Sequence, residues 1–238
     1  MRSVDRRLQR GGGHRLLRRR RAPCERRDVR VRDVGRYHSR PRGNFRVSAT
    51  AASTTDELEV KARVDDPDPL RAALIAAGAK LEFRGEMSDR RFDRKGSLAR
   101  RDEVLRLRMF RPAEGTPAYG VLAWKGKHSR RGEYRHRAEV EARVVDADGV
   151  VTILEHLGFS VSLRIDRRVE VYRLGGAVLR LEWYPAMDVL LEVEGEPDAI
   201  ERAIAATGLA REAFLPESLP YFVARYEART GRAALLAR

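Results

Sequence analysis

The residues best suited to chemistry in this sequence are acids and bases set two apart. Glu57-Leu58-Glu59-Val60-Lys61 is the first such stretch. Read as a strand, it turns Glu57, Glu59 and Lys61 to one side and Leu58 and Val60 to the other. The pattern returns at Arg106/Arg108, at Lys125/Lys127, along Arg135, Arg137, Glu139, Glu141 and Arg143, and at Glu192/Glu194. Paired carboxylates suit a hard divalent cation bound through oxygen. Paired Lys and Arg suit phosphate oxygens, Arg as a two-pronged donor. Together they point to a metal–polyphosphate complex, with chemistry at a phosphoryl group. One such strand alone would ordinarily be a solvated face; its recurrence argues for an interior one.

Strands of this kind need their apolar faces covered. Antiparallel strands can meet that need by closing into a barrel, with helices packed outside on the apolar faces and the charged faces lining the interior. Such an interior is costly unless its charges are paired or met by a ligand. After the opening strand, Asp68-Pro69 predicts a helix start, with Leu70, Ala73, Leu74 and Ala77 on one face and Gly78 as the stop. Strands are expected over Lys80–Asp93, Glu103–Phe110 and Val121–Lys127, a turn over Ser129–Gly132, and a long strand over Glu133–Val144. A helix over Asp148–Leu157 stops at Gly158. Strands near Ser160–Leu174 and Ala177–Tyr184 flank a Gly175-Gly176 hairpin turn. Val189–Glu194, a helix from Pro197 to Gly208, and a last helix over Ser218–Thr230 complete the order. Three times a strand with acids two apart leads into a helix closed by Gly, at unequal spacings, which is shared architecture and not a strict repeat.

The net charge of +14 is unevenly placed. Residues 1–50 hold 17 Arg, no Lys and 4 acids, which leaves 32 basic and 31 acidic residues in 51–238. The division into a 1–50 segment and a 51–238 domain follows. The first segment has a Gly11–Gly13 run, an Arg18–Arg21 run and few large apolar residues, so it is read as a disordered tail. It suits a nucleic-acid or anionic-surface tail, an organelle presequence, or a stretch absent from a mature protein that begins near Val47. Nucleic acid is expected as a partner only through this tail. The single cysteine, Cys24, excludes an internal disulfide, and no apolar run approaches a membrane span. These features are those of a cytoplasmic protein. The five histidines are scattered and give no zinc spacing, and no glycine-rich phosphate loop or nucleophile elbow is present.

In order along the chain stand Glu57-x-Glu59-x-Lys61, Asp89-Arg90-Arg91-Phe92-Asp93, Leu105-Arg106-Leu107-Arg108, Lys125-Gly126, Arg137-x-Glu139-x-Glu141, Leu181-Glu182 and Glu192-x-Glu194. This series resembles the CYTH family, the triphosphate tunnel metalloenzymes, which includes class IV adenylyl cyclases, thiamine triphosphatases and inorganic triphosphatases. The resemblance covers about residues 56–230. It implies an α+β fold with an eight-stranded closed antiparallel tunnel, a Mg²⁺ or Mn²⁺ ion, and a small-molecule triphosphate as substrate. It makes Glu57, Glu59, Glu182, Glu192 and Glu194 the metal-side carboxylates. It puts Lys61, Arg106, Arg108, Lys125 and Arg137 on phosphate, with Lys61, Lys125, Arg106 and Arg108 nearest the reaction. A further phosphate ligand is implied at Arg167 or Arg168, the strand parity leaving both open. Three positions depart from the pattern: Glu182 replaces Asp, Asp188 stands where Gly is common, and Glu217-Ser218-Leu219 replaces a basic residue followed by Ser-Tyr. The implied activity is a metal-dependent triphosphatase. A class IV-type cyclase making cyclic AMP and pyrophosphate is the alternative, and a non-catalytic polyphosphate-binding module is a third.

Overall fold

A computed structural model describes residues 54–238; the expectations for the 1–50 segment lie outside the described residues. The elements run β1 (Thr55–Val64), α1 (Pro67–Ala76), β2 (Lys80–Asp93), β3 (Val104–Pro112), β4 (Tyr119–Lys125), β5 (Ser129–Arg131), β6 (Tyr134–Val144), α2 (Ala147–His156), β7 (Ser160–Leu174), β8 (Ala177–Trp183), β9 (Val189–Glu194), α3 (Pro197–Thr207) and α4 (Leu219–Thr230).

Eight strands, all antiparallel, follow the order β1-β9-β8-β7-β2-β3-β4-β6, and β6 pairs back with β1 to close the barrel. The closure is made by Thr55–Glu59 against Arg135–Glu139, with Glu57 opposite Arg137. The remaining strand, β5, is a short ribbon folded back on β6 outside the closed set. The sequence reads Ser129–Gly132 as a turn. In the structure Ser129–Arg131 pair with Tyr134–His136, and only Gly132-Glu133 turn the chain, with Gly132 at φ +62°.

Alternation along each strand sends apolar residues outward and charged residues inward. Leu58, Val60 and Ala62 of β1, Leu179 and Leu181 of β8, and Leu191 and Val193 of β9 pack beneath Leu70 and Leu74 of α1 and Ile200, Ala203 and Ile204 of α3. On another side, Phe92 and Leu107 pack beneath Leu154 of α2. Full burial of such side chains contributes roughly 1.5–3 kcal/mol each. The α1 start differs from the expected one. Asp66 is the cap, its carboxylate accepting from the Asp68 N–H at 3.1 Å, and Pro67 opens the helix. Of two successive Asp-Pro steps, the first takes the cap and the second falls within the first turn.

The fourth helix does not join the outer layer. Leu219 and Phe222 of α4 pack on Ile165 and Leu190, from the inward faces of β7 and β9, and on Tyr184 just past the end of β8. It thus lies across part of one barrel end. A separate inner-face cluster of Met87, Phe110 and Val169, joined by Phe83, Tyr119 and Val121, fills the β2–β3–β7 side farther along the barrel. There β2 and β3 run very close: a Cβ on Gly85 would lie 2.1 Å from the Arg111 carbonyl oxygen, so only glycine fits. Pairing of β2 with β7 is interrupted twice, between Leu81 and Phe83 and between Arg91 and Phe92. No described helix is long and apolar enough to cross a membrane.

Candidate functional site

The interior charges are extensively paired. Lys61 on β1 touches Glu59 at 2.7 Å and Glu192 on β9 at 2.5 Å. Arg135 adds a 2.8 Å contact to Glu59. Lys125 on β4 pairs with Glu57 and, at 3.4 Å, with Glu139. Arg106 on β3 reaches Glu139 at 3.2 Å, while Arg108 pairs with Glu141. Arg167 on β7 lies 3.0 Å from Glu182, whose other oxygen accepts from the Tyr184 hydroxyl at 2.6 Å. Arg180 on β8 pairs with Glu192 and lies 3.0 Å from Glu194.

The electrostatic consequences follow from burial first. Desolvation alone would lower the Lys61 ammonium, but Glu192 and Glu59 outweigh it and hold the pKa above its ordinary value. Burial would raise the Glu192 carboxyl, yet Lys61 and Arg180 carry it well below the usual range. Glu194 goes the other way. Burial pushes it well above the ordinary value, Arg180 only partly opposes this, and Glu192 and Glu57 add to it. Burial likewise raises the Tyr184 hydroxyl well above its usual value, helped by Glu182.

Of the site residues that the resemblance implies, all but Arg137 and Arg168 take part in these contacts. Arg167 faces inward and is 7% exposed. Arg168 is corrected: it is exposed on the outer face, its guanidinium stacked 4.2 Å above the Trp183 ring. The register explains why. Pairing of β7 with β8 runs unbroken from Arg168–Trp183 to Leu174–Ala177, putting Val169 opposite Glu182, so Arg167 shares the inward parity. On the other side of β7, facing Tyr172 and Val171, the pairing is irregular, and the extra residue there belongs to β2, at Leu81/Phe83. Arg137 lies at the mouth, donating to the Gly126 carbonyl at 2.9 Å and to the Asp102 carboxylate at 2.8 Å. Asp102, in left-handed conformation at φ +56°, also accepts from the His128 backbone N–H at 3.0 Å.

The expected metal-side acids divide. Glu57, Glu59 and Glu194 offer ligand oxygens all within 4.8 Å of one another. Glu182, held by Arg167 and Tyr184, and Glu192, held by Lys61 and Arg180, lie outside that group. The triad fits a hard divalent cation: its donors are carboxylate oxygens, and the burial that raises Glu194, with Glu192 and Glu57 adding to it, is a cost that a bound cation would offset. Four more inward residues stand out. Asp89 is fully buried between Arg106 and Arg167, at 3.8 and 3.7 Å, with neither oxygen hydrogen-bonded. Glu139 bridges Arg106 and Lys125. Arg91 lines the mouth, its pKa lowered by burial and by Arg106 and Arg167 despite Asp89. Arg180 was legible in principle, since Arg180-x-Glu182 repeats the alternation seen elsewhere.

A cavity of about 90 Å³ runs among Lys61, Arg106, Lys125, Arg167, Arg180 and Glu192. It opens past Arg91, Arg135, Arg137 and Ser218 into a wider vestibule of about 440 Å³ bounded by Asp102, His128 and Glu217. The inside of the barrel is thus a narrow, cation-rich channel with an acidic triad on its β1–β9 side and an ample forecourt. That arrangement can hold a polyanion lengthwise and a bulkier group outside.

Among solved structures, a candidate adenylate cyclase of Vibrio parahaemolyticus matches with a TM-score of 0.61 at 18% identity, over 72% of this chain and 99% of its own. A protein of Pyrococcus horikoshii matches at 0.56 and 20% identity, over 74% and 99%. A conserved hypothetical protein of Pyrococcus furiosus matches at 0.56 and 20%, over 70% and 99%. At these identities the likeness is one of fold. No curated protein matches the chain in sequence. The CYTH domain model matches residues 55–215, the span from the first barrel strand to the segment leading into α4, and the chain belongs to the CYTH family.

Proposed function

We propose that the protein is a divalent-metal-dependent hydrolase of a triphosphate-bearing substrate. The observation that carries this reading is the closed barrel whose interior sets buried Lys61, Arg106, Lys125, Arg137 and Arg167 around one narrow cavity beside a carboxylate triad, with buried Arg108 two residues along β3 from Arg106. Folded without a polyanion, these cations satisfy one another's acids. A triphosphate offers them stronger, multidentate partners at the same positions. Arg106 and Arg108, two apart on β3, would grip successive phosphate oxygens, with Lys125 from the adjacent β4, Arg167 from β7 and Arg137 at the mouth. Lys61 stays protonated, because Glu192 and Glu59 hold its pKa up, so its role is to donate to charge that develops on the phosphoryl group and not to remove a proton. A divalent ion held by Glu57, Glu59 and Glu194 would neutralise phosphate charge and polarise the phosphoryl centre.

The vestibule supports a second reading. Its room beside the phosphate channel suits an organic group, so a cyclase that joins a ribose hydroxyl to the α-phosphate of ATP and releases pyrophosphate is the alternative. The test is a panel of tripolyphosphate, thiamine triphosphate and ATP with Mg²⁺ or Mn²⁺, every product being quantified. Phosphate release supports the hydrolase; cyclic AMP with pyrophosphate replaces it by the cyclase. Tight binding without turnover leaves a polyphosphate-binding module.

A further inference from the structure

Arg180 stands on β8 opposite Glu192 in register, with Val178 opposite Glu194. Its side chain is 13% exposed, and one terminal nitrogen contacts both acids of the Glu192/Glu194 pair. A guanidinium bridging two neighbouring carboxylates does there what a divalent cation does, with half the charge and a fixed planar shape. Glu194 is also the third member of the Glu57/Glu59/Glu194 triad. Glu57 has Lys125 as its ion-pair partner and Glu59 has Lys61 and Arg135, whereas Arg180 is the one cation paired with Glu194 among the described residues. Its Nε has no hydrogen-bond partner, so the side chain is held at its tip and not along its length.

We propose that Arg180 is a resident cation that competes with the divalent metal for Glu194. It holds the acidic side of the barrel together in the metal-free protein and weakens the metal's grip. This rests on the metal-dependent reading above. Two effects act in the same direction. The guanidinium occupies a ligand oxygen that the metal needs, and its positive charge repels a dication a few ångströms away in a poorly solvated interior. Lys61 and Lys125 approach the triad from β1 and β4 and reach acids other than Glu194. Removing Arg180 should therefore uncover the one ligand they do not touch.

The test is direct titration of Mn²⁺, free ion being counted by its electron paramagnetic resonance signal, on the full chain without substrate. Arg180→Met and Arg180→Gln should bind Mn²⁺ about tenfold or more tighter than the parent. Their metal-free forms should melt lower, with Mn²⁺ restoring more of the melting temperature than it adds to the parent. Arg180→Lys, which keeps the charge, should stay near the parent. If the single variants do not fold, Arg180→Met with Glu192→Gln keeps the local charge balance while leaving Glu194 free, and should show the same tightening. Equal or weaker Mn²⁺ binding in folded variants, with the parent binding normally, overturns the role of Arg180 alone. If neither parent nor variants take up Mn²⁺, the metal-dependent reading falls and this inference with it.

Discussion

Lys61 of β1 and Glu192 of β9 face each other in register, and the ammonium lies 2.5 Å from the carboxylate inside the barrel. The pair ties two neighbouring strands at the point where the acids of both converge. Lys61→Met would leave Glu59 and Glu192 short of a buried partner. It should destabilise the fold by about 3 kcal/mol, read by denaturant unfolding, and should also lower turnover per folded molecule. Lys61→Arg should recover stability before it recovers rate, because a planar fork cannot sit where a point charge did.

The cation positions separate phosphate binding from packing. Arg106→Ala, Arg108→Ala and Lys125→Ala should each reduce kcat/KM by roughly ten- to a thousandfold, about 1.4–4 kcal/mol in the transition state. Arg→Lys at the first two should restore only part. Leu107 points the other way, packed with Phe92 and Leu154 beneath α2. Leu107→Ala should cost about 2–5 kcal/mol of stability and leave the rate per folded molecule near the parent's. Silent arginine variants on every active substrate would refute the phosphate role.

The acids should not be equivalent. Glu194→Gln removes a triad ligand crowded by Glu192 and Glu57, so Mn²⁺ binding should weaken by about tenfold or more while the metal-free melting temperature holds or rises. Glu182→Gln leaves the triad intact and disturbs the Arg167 and Tyr184 contacts instead. Its Mn²⁺ affinity should stay near the parent's, and its stability should fall. Calorimetric titration beside thermal melts distinguishes the two.

Outside the barrel, Glu170 is clasped by Arg71 of α1 at 2.9 Å, by Arg84 at 3.1 Å and by the Tyr172 hydroxyl at 2.9 Å. Burial would raise its carboxyl, but the hydrogen bonds from Arg71 and Tyr172 outweigh that and hold it below its ordinary 4.5. A depressed folded-state pKa means stability present above 4.5 and lost as pH falls through the lower folded value. Glu170→Gln should melt below the parent at pH 7, and the gap should close in acid. A gap that persists unchanged below pH 4.5 would show that charge is not what Glu170 contributes.

Most of the net charge lies in residues 1–50. A chain beginning at Val47 should fold, keep full activity, and lose most salt-sensitive binding to DNA or heparin. Chromatography on heparin across a salt gradient, beside an activity assay, checks both halves.

The barrel was legible because its signal is a strict period of two with charge on one side. Glu57, Glu59 and Lys61 could only share a face, and so could Arg106 and Arg108. What sequence hid depended on partners in space. Arg167 and Arg168 are neighbours of opposite parity, and only pairing with Glu182's strand selects the first. The separation of Glu182 and Glu192 from the triad needs the positions of Arg167, Tyr184, Lys61 and Arg180, which lie on different strands. The amphipathic period of α4 marks Phe222 as apolar but cannot say that it packs on an inward face. At Ser129–Arg131, three polar residues carry no strand signal, and pairing with β6 alone orders them.

The two interruptions in the pairing of β2 with β7 bear on how a chain of this kind can change length. Adding one residue to a barrel strand would exchange its two faces from that point onward, placing leucines in the charged channel and arginines beneath the helices. It would act on the protein as a frameshift acts on a message. The extra residue is Glu82 of β2 at the first interruption and Ser162 of β7 at the second, and between them the pairing runs in phase, with Asp89 opposite Arg108 and Arg91 opposite Arg106. Insertions and deletions that preserve chemistry are thus confined to the connections, to bulges, or to pairs of residues. The connection from Ala113 to Pro117 between β3 and β4, which touches no part of the channel, is the place where length can drift at least cost.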